Sequence, residues 1–245
     1  MKKISFKTFM LMMMLMTGSV SVVNAQVKTS DLTGAWETGT EVKMTRIYAD
    51  QIFTVTVYNV KDKQFISTAG GRWRVNGNTI VETFEFNSAK PELVGTEVST
   101  PASLKGGKLT LMINGRKEEW TKLDDGTPGK LSGAWLITGR VRDGKMATMT
   151  PGARRTMKIL SGTRFQWIAY NVDTKEFSGT GGGTYTTENG KYTENILFFS
   201  RDNSRVGASL SFDFALEDGN WRHKGLSSKG EAIEEVWTKR EKIGL

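Results

Sequence analysis

The chain has 245 residues, a formal charge of +8, a single histidine and no cysteine. That composition excludes disulfides, thiolate metal sites, cysteine nucleophiles and any histidine-based metal cluster. Lys and Arg are interspersed with Asp and Glu, so nucleic acid is not an expected partner.

The first 25 residues read as a secretory signal peptide. Lys2, Lys3 and Lys7 precede an apolar run from Phe9 to Met16, and Val23-Asn24-Ala25 places small residues at a cleavage site before Gln26. Thr17, Gly18, Ser19 and Ser21 interrupt the run too early for a membrane span, which needs about 20 apolar residues. The expectation is an exported protein, periplasmic or extracellular and not membrane-spanning, carrying +5 once the three lysines are gone from +8.

The pentapeptide Leu32-Thr33-Gly34-Ala35-Trp36 opens a unit, read as 26–123, whose segments alternate with period two. Over 51–60, Phe53, Val55 and Val57 alternate with Thr54, Thr56 and Tyr58. Over 79–86, Ile80, Glu82, Phe84 and Phe86 share one face and Val81, Thr83 and Glu85 the other. Such segments, rich in Val, Ile, Thr and aromatics and separated by Gly-bearing turns at 75, 105 and 113, predict half-buried strands. Residues 124–130 hold Asp, Gly and Pro and read as a linker.

The second unit, 131–245, repeats the first. Leu131-Ser132-Gly133-Ala134-Trp135 echoes the opening pentapeptide, and the stretch from Tyr170 aligns with that from Tyr58 at an offset of 112. Both units end alike, at Glu118–Lys122 and Glu234–Lys239. With about eight strands per unit and no helical spacing outside the leader, the predicted fold is all-β: two tandem antiparallel barrels. The clusters Arg154/Arg155/Lys158 and Arg222/Lys224 read as solvated faces.

Gly34-Ala35-Trp36 and Gly133-Ala134-Trp135 resemble the first-strand Gly-x-Trp signature of the lipocalin and calycin superfamily. The mature chain also resembles the lipocalin-like secreted proteins common in Bacteroidetes, a resemblance that brings no activity with it. It implies up-and-down barrels in which Trp36 and Trp135 each close one end beneath a basic residue of the last strand. Lys122 is the match in the first unit, and Lys239 or Arg240 in the second. The units are shorter than a typical lipocalin, which predicts a shallow cavity or none.

Glutamate on an apolar face is the feature that points to a site. Glu82 lies between Ile80 and Phe84, Glu194 between Tyr192 and Ile196, and Glu118 and Glu235 share faces with Trp120 and Trp237. A buried carboxylate needs a cation, hydrogen bonds or a raised pKa. It either orients a ligand in a mostly apolar pocket or pairs with an arginine such as Arg72 or Arg205. Trp73 and Tyr185 are equivalent, and Trp167 shares a face with Phe165 and Ala169; they would stack on a ligand or simply pack. The run from Gly179 to Tyr185 lacks phosphate-loop spacing and reads as a bend, bulge or close backbone approach.

Enzymatic groups are sparse. His223 sits among Arg222 and Lys224 in a stretch read as exposed, and only Glu194 with Glu235 offers a carboxylate pair for hydrolysis. The expected function is a non-enzymatic binder of a small, largely apolar or amphipathic molecule, without cofactor or metal, favouring the second unit. The alternative is a filled barrel that binds an envelope protein or glycan through its exterior.

Overall fold

Alternating segments joined by tight turns leave this chain little to form but antiparallel ribbons. The computed structural model describes residues 26–245 and folds them into two closed antiparallel barrels in tandem. The signal peptide read over 1–25 lies outside the described residues.

The first barrel takes its strands in chain order: β1 (Gly34–Thr38), β2 (Val42–Ala49), β3 (Ile52–Asn59), β4 (Gln64–Asn76), β5 (Thr79–Asn87), β6 (Glu97–Lys105), β7 (Lys108–Ile113) and β8 (Arg116–Asp124). It closes where Trp36 pairs with Lys122. The second barrel comprises β9 (Gly133–Arg142), β11 (Arg154–Leu160), β12 (Arg164–Asn171), β13 (Phe177–Glu188), β14 (Lys191–Phe199), β15 (Ser209–Glu217), β16 (Asn220–Leu226) and β17 (Ala232–Lys239). It closes where Trp135 pairs with Lys239, and β10 (Lys145–Thr148) is a short extra strand on β9. The all-β expectation holds. The described α-helix is a single turn, α1 (Thr29–Leu32), and no described helix is long and apolar enough to cross a membrane.

Each barrel is shut at one end by its Gly-x-Trp tryptophan. Trp36 is fully buried, its indole N–H donates to Leu32 O at 2.7 Å, and Lys122 Nζ stands 5.2 Å over the ring. Trp135 donates to Leu131 O at 2.8 Å under Lys239 Nζ at 4.9 Å. Lys239 therefore takes this place in the second unit. Arg240 turns instead into the contact between the barrels and pairs with Glu85.

The barrels pack through outer faces that alternation alone would leave to solvent. Thr54, Thr56 and Tyr58 of β3 are all buried there, and Gln166 Nε2 donates to Thr68 and Thr180 at 2.9 and 3.0 Å. The contact is reciprocal. Tyr58 meets Phe198 at 5.2 Å between ring centroids, Tyr170 meets Phe86 at 4.9 Å, and Phe65 stacks on its own counterpart Phe177 at 6.0 Å. Glu85 adds a charged anchor, accepting from Arg155 at 2.9 Å and from the Tyr170 hydroxyl at 2.8 Å. The connection from β8 is pinned as well, because the Asp124 carboxylate accepts from the backbone of Gly162 and Thr163.

Two bulges correct the strand reading. Phe84 and Phe86 do not share a face: the β4–β5 register shifts between Gly70 and Gly71, so Phe84 packs inside the first barrel and Phe86 faces the second. The equivalent shift falls between Gly182 and Gly183. Glycine is required there by close approach. A Cβ on Gly71 would lie 2.1 Å from Thr83 O and one on Gly183 1.9 Å from Asn195 O. A Cβ on Gly70 or Gly182 would strike the Phe86 or Phe198 ring at 2.6 or 2.5 Å.

Candidate functional site

The interior faces of β9, β11, β14, β16 and β17 bring five ionisable side chains into the second barrel. Lys158 on β11 pairs with Glu194 on β14 at 2.7 Å, and Tyr192 donates to the same carboxylate oxygen at 2.8 Å. The Lys158 ammonium also lies 4.9 Å from the Tyr192 ring, 5.0 Å from Trp221 and 5.4 Å from Trp237. These rings solvate it from the side that Glu194 does not cover. On β17, Glu235 accepts from Arg140 at 2.5 Å, from the Trp237 indole at 3.1 Å and from His223 Nδ1 at 3.3 Å.

These groups line a cup of about 340 Å³. Trp167, Ile196, Phe199, Leu210, Phe212 and Ile233 supply its apolar wall, and exposed Arg201 and Glu231 stand at its mouth. The glycine run of β13 makes room for the wall. Gly181 lies opposite both Trp167 and Phe199, whose rings a Cβ there would meet at 2.6 and 2.8 Å.

The first barrel repeats the buried pair and packs aromatic rings around it. Arg46, the counterpart of Lys158, bonds Glu82 at 2.5 Å, and the Tyr48 hydroxyl joins both at 3.0 Å. Tyr48 packs on Trp73 at 4.7 Å and Arg46 lies 5.2 Å over Trp120. Several counterparts differ: Leu160 stands for Tyr48, Tyr185 for Trp73 and Trp167 for Val55, while Trp221 and His223 occupy the register positions of Leu109 and Leu111.

Of the residues singled out from sequence, Glu194, Glu235 and Trp167 meet at the cup. Tyr185 is buried, donates to Ser161 O at 2.6 Å and does not line it. Glu82, Glu118 and Trp73 belong to the first barrel, where Glu118 Oε2 and Trp73 Nε1 are buried without a partner. Gly34, Trp36, Gly133 and Trp135 sit at the barrel closures.

Three expectations are overturned. His223 is not exposed: at 2 % exposure it points inward between outward-facing Arg222 and Lys224. Neither Arg72 nor Arg205 partners a core glutamate; Arg72 approaches Glu85 at 3.8 Å and Arg205 bonds Asp202. Nor is Arg154/Arg155/Lys158 a solvated cluster, since Lys158 is buried in the cup and Arg155 bonds Glu85 between the barrels. Sequence reasoning thus missed Lys158, His223, Arg140 and Trp237 as cup residues. Alternation carried the signal for His223, because Trp221, His223 and Gly225 share one stripe.

The electrostatics keep the two carboxylates tied. Burial alone would raise the Glu235 carboxyl, but its hydrogen bond with His223, the charge His223 takes on once protonated in acid, and the charges of Lys158 and Arg140 hold it at about 2. Burial and nearby Lys158 push His223 below its usual value, which keeps the imidazole neutral near pH 7. Burial and the adjacent Glu194 carry the Tyr192 phenol well above its ordinary value, fixing it as a donor. Among the described residues no three His, Cys, Asp or Glu side chains are grouped to hold a metal ion. The arrangement can accept an apolar body against the aromatic wall and a polar group at its floor. No protein-family model matches this chain, and neither a curated protein nor a solved structure is detectably similar to it.

Proposed function

We propose that this is an exported, non-enzymatic binding protein of the lipocalin-like secreted type, whose second barrel holds one small amphipathic molecule. The observation that carries the reading is a cup of about 340 Å³ over the buried ion pair of the second barrel, with an aromatic wall of Trp167, Phe199 and Phe212 above Lys158, Glu194 and Glu235. That volume lies in the range of small-molecule sites. It equals roughly eleven water molecules of liquid.

Native mass spectrometry of residues 26–245, purified gently from a bacterial periplasm and then exposed to an envelope lipid extract, tests the proposal. The expected result is one added mass per chain, released by organic solvent and lost when Leu210→Trp, at a half-buried position of the wall, narrows the cup. A bare chain mass after both treatments would overturn it and move the search to partners of the barrel exterior.

A further inference from the structure

The second unit is longer than the first at two places, and both fall at one end of its barrel. Trp36 and Trp135 stand 99 residues apart, whereas Arg46 and Lys158 stand 112 apart, so 13 residues (112 − 99) are added before β11. Five more (117 − 112) enter between His223 and Trp237, since Leu111 and His223 stand 112 apart but Trp120 and Trp237 stand 117 apart. The first insertion lets β9 run on to Arg142, turn through Asp143-Gly144 and return as β10, where the first barrel joins β1 to β2 across residues 39–41. The second lengthens the connection from β16 to β17, whose Ser227, Ser228 and Glu231 line the cup. The Trp135 end of β9 is the closed end, so both insertions rise at the opposite end, around the mouth of the cup.

The added hairpin places charge where charge repels. Arg142 lies directly opposite Lys145 in the β9–β10 pair, both are exposed, and like charges so placed destabilise a ribbon. Among the described residues neither has a carboxylate within ion-pairing distance, and Asp143 in the turn between them pairs with neither. Alternate residues of a strand share a face, so Arg142 stands on the same side of the hairpin as Arg140, which lines the cup. Arg201, a third exposed cation at the mouth, bonds only the carbonyl of Ser178, and Glu231 is the one carboxylate there that lines the cup without an ion pair. The floor is different. Lys158 is engaged by Glu194 at 2.7 Å and Arg140 by Glu235 at 2.5 Å, so a charged head would have to break a buried pair to bind there.

We propose that Arg142 and Lys145 form the head site of the cup and bind a phosphate monoester whose alkyl tail enters the cup. Such a head carries about two negative charges near pH 7.5 and three acceptor oxygens, enough to answer both cations and to cancel their repulsion. A carboxylate brings a single charge and leaves one cation unanswered. Arg142 is about 7 Å along the strand from Arg140, so a head held there leaves its tail to run past Arg140 to Trp167, Phe199 and Phe212. The assignment rests on the binding role proposed above and adds the chemical class of the ligand, a single-chain alkyl phosphate held tail inward.

Probes with one tail and different heads separate the two claims. Binding of decyl phosphate, decanoate, 1-decanol and inorganic phosphate to residues 26–245 is measured by calorimetry at about pH 7.5, below the concentrations at which the amphiphiles form micelles. Decyl phosphate is expected to bind at least tenfold more tightly than decanol, a difference of about 1.4 kcal/mol, with decanoate between them. Inorganic phosphate, which has no tail to bury, should bind about a hundredfold more weakly than decyl phosphate. In the double variant Arg142→Gln/Lys145→Gln the ratio of decyl phosphate to decanol affinity should fall to about twofold. That variant removes two exposed, mutually repelling charges, so a urea titration should find it no less stable than the parent. If decanol or decanoate equals decyl phosphate, or the preference survives the double variant, the head site fails while the binding cup survives. If inorganic phosphate equals decyl phosphate, the cations form an anion site unconnected with the cup, which also overturns the assignment. If no decyl compound binds, the head site and the binding role fail together.

Discussion

Breaking the ion pair under the cup from one side should cost far more than removing it whole. In Glu194→Leu, the Lys158 ammonium keeps a side chain only 6 % exposed and loses a carboxylate at 2.7 Å. At an effective dielectric of about 20 that contact is worth about 6 kcal/mol of Coulomb energy before desolvation. Three ring faces within 5.4 Å return about 1–2 kcal/mol. The net loss should be about 3 kcal/mol, the lower end for an orphaned buried charge. The double variant Lys158→Met/Glu194→Leu removes both charges while keeping bulk, and should fall within about 1 kcal/mol of the parent. Urea titrations at pH 7.5, followed by tryptophan fluorescence, give both values. A single variant costing less than about 1 kcal/mol would refute the reasoning. So would a double variant as unstable as the single, because the loss would then lie in shape and not in charge.

Acid should weaken the fold through the same barrel. Glu235 at about 2 stabilises the folded state above the ordinary carboxylate range by about 3 kcal/mol, and that contribution disappears as pH falls from about 4.5 to 2. His223 acts in the same direction from higher pH, because the unfolded chain takes up a proton that the buried imidazole resists. Glu235→Gln should therefore be less stable at pH 7 but show a shallower loss between pH 4.5 and 2; an unchanged slope would show that Glu235 is not the titrating group. At the bulges, Gly71→Ala and Gly183→Ala each drive a Cβ to about 2 Å from a backbone carbonyl oxygen. Each should cost about 3 kcal/mol and lower Tm by about 6 to 12 °C in a thermal melt, whereas alanine tolerated at either site would mean the bulge moves freely. Lys122→Met and Lys239→Met remove matching caps over Trp36 and Trp135. They should cost about 1–2 kcal/mol each, and a large difference between them in the same melt would mean the closures are not equivalent.

The fold was largely legible because its signals are local and occur twice. Period-two alternation, Gly-bearing turns and the repeated Gly-Ala-Trp openings all point to two closed barrels. The inward glutamates were legible too: Glu82 and Glu194 are 4 % exposed and Glu235 5 %. Their partners were not, since the cations come from strands 36 residues earlier for Arg46–Glu82 and Lys158–Glu194 and 95 residues earlier for Arg140–Glu235. A short cluster of Arg and Lys looks solvated until its strand has a register. His223 was masked in the same way by the charges on either side of it. The buried Thr and Tyr face of β3 was beyond reach for a different reason: alternation marks two faces and cannot say that another barrel will cover the polar one.

The reciprocal interface leaves the two units free to differ inside. When Tyr58 meets Phe198 and Tyr170 meets Phe86, each half supplies the same two surfaces, as in an isologous dimer fused into one chain. Each surface has to fit one on the other half, so neither half can change it alone without losing a contact. Interior positions carry no such coupling, and it is there that the second unit has Trp167 where the first has Val55 and His223 where the first has Leu111. Opening the interior is expensive. A dry void of 340 Å³ would cost about 8 kcal/mol, comparable to the whole stability of a domain. The paired charges at its floor and its open mouth let water occupy the cup instead. The first barrel, with its Trp73, Tyr48 and Trp120 core, packs against the second through the shared interface.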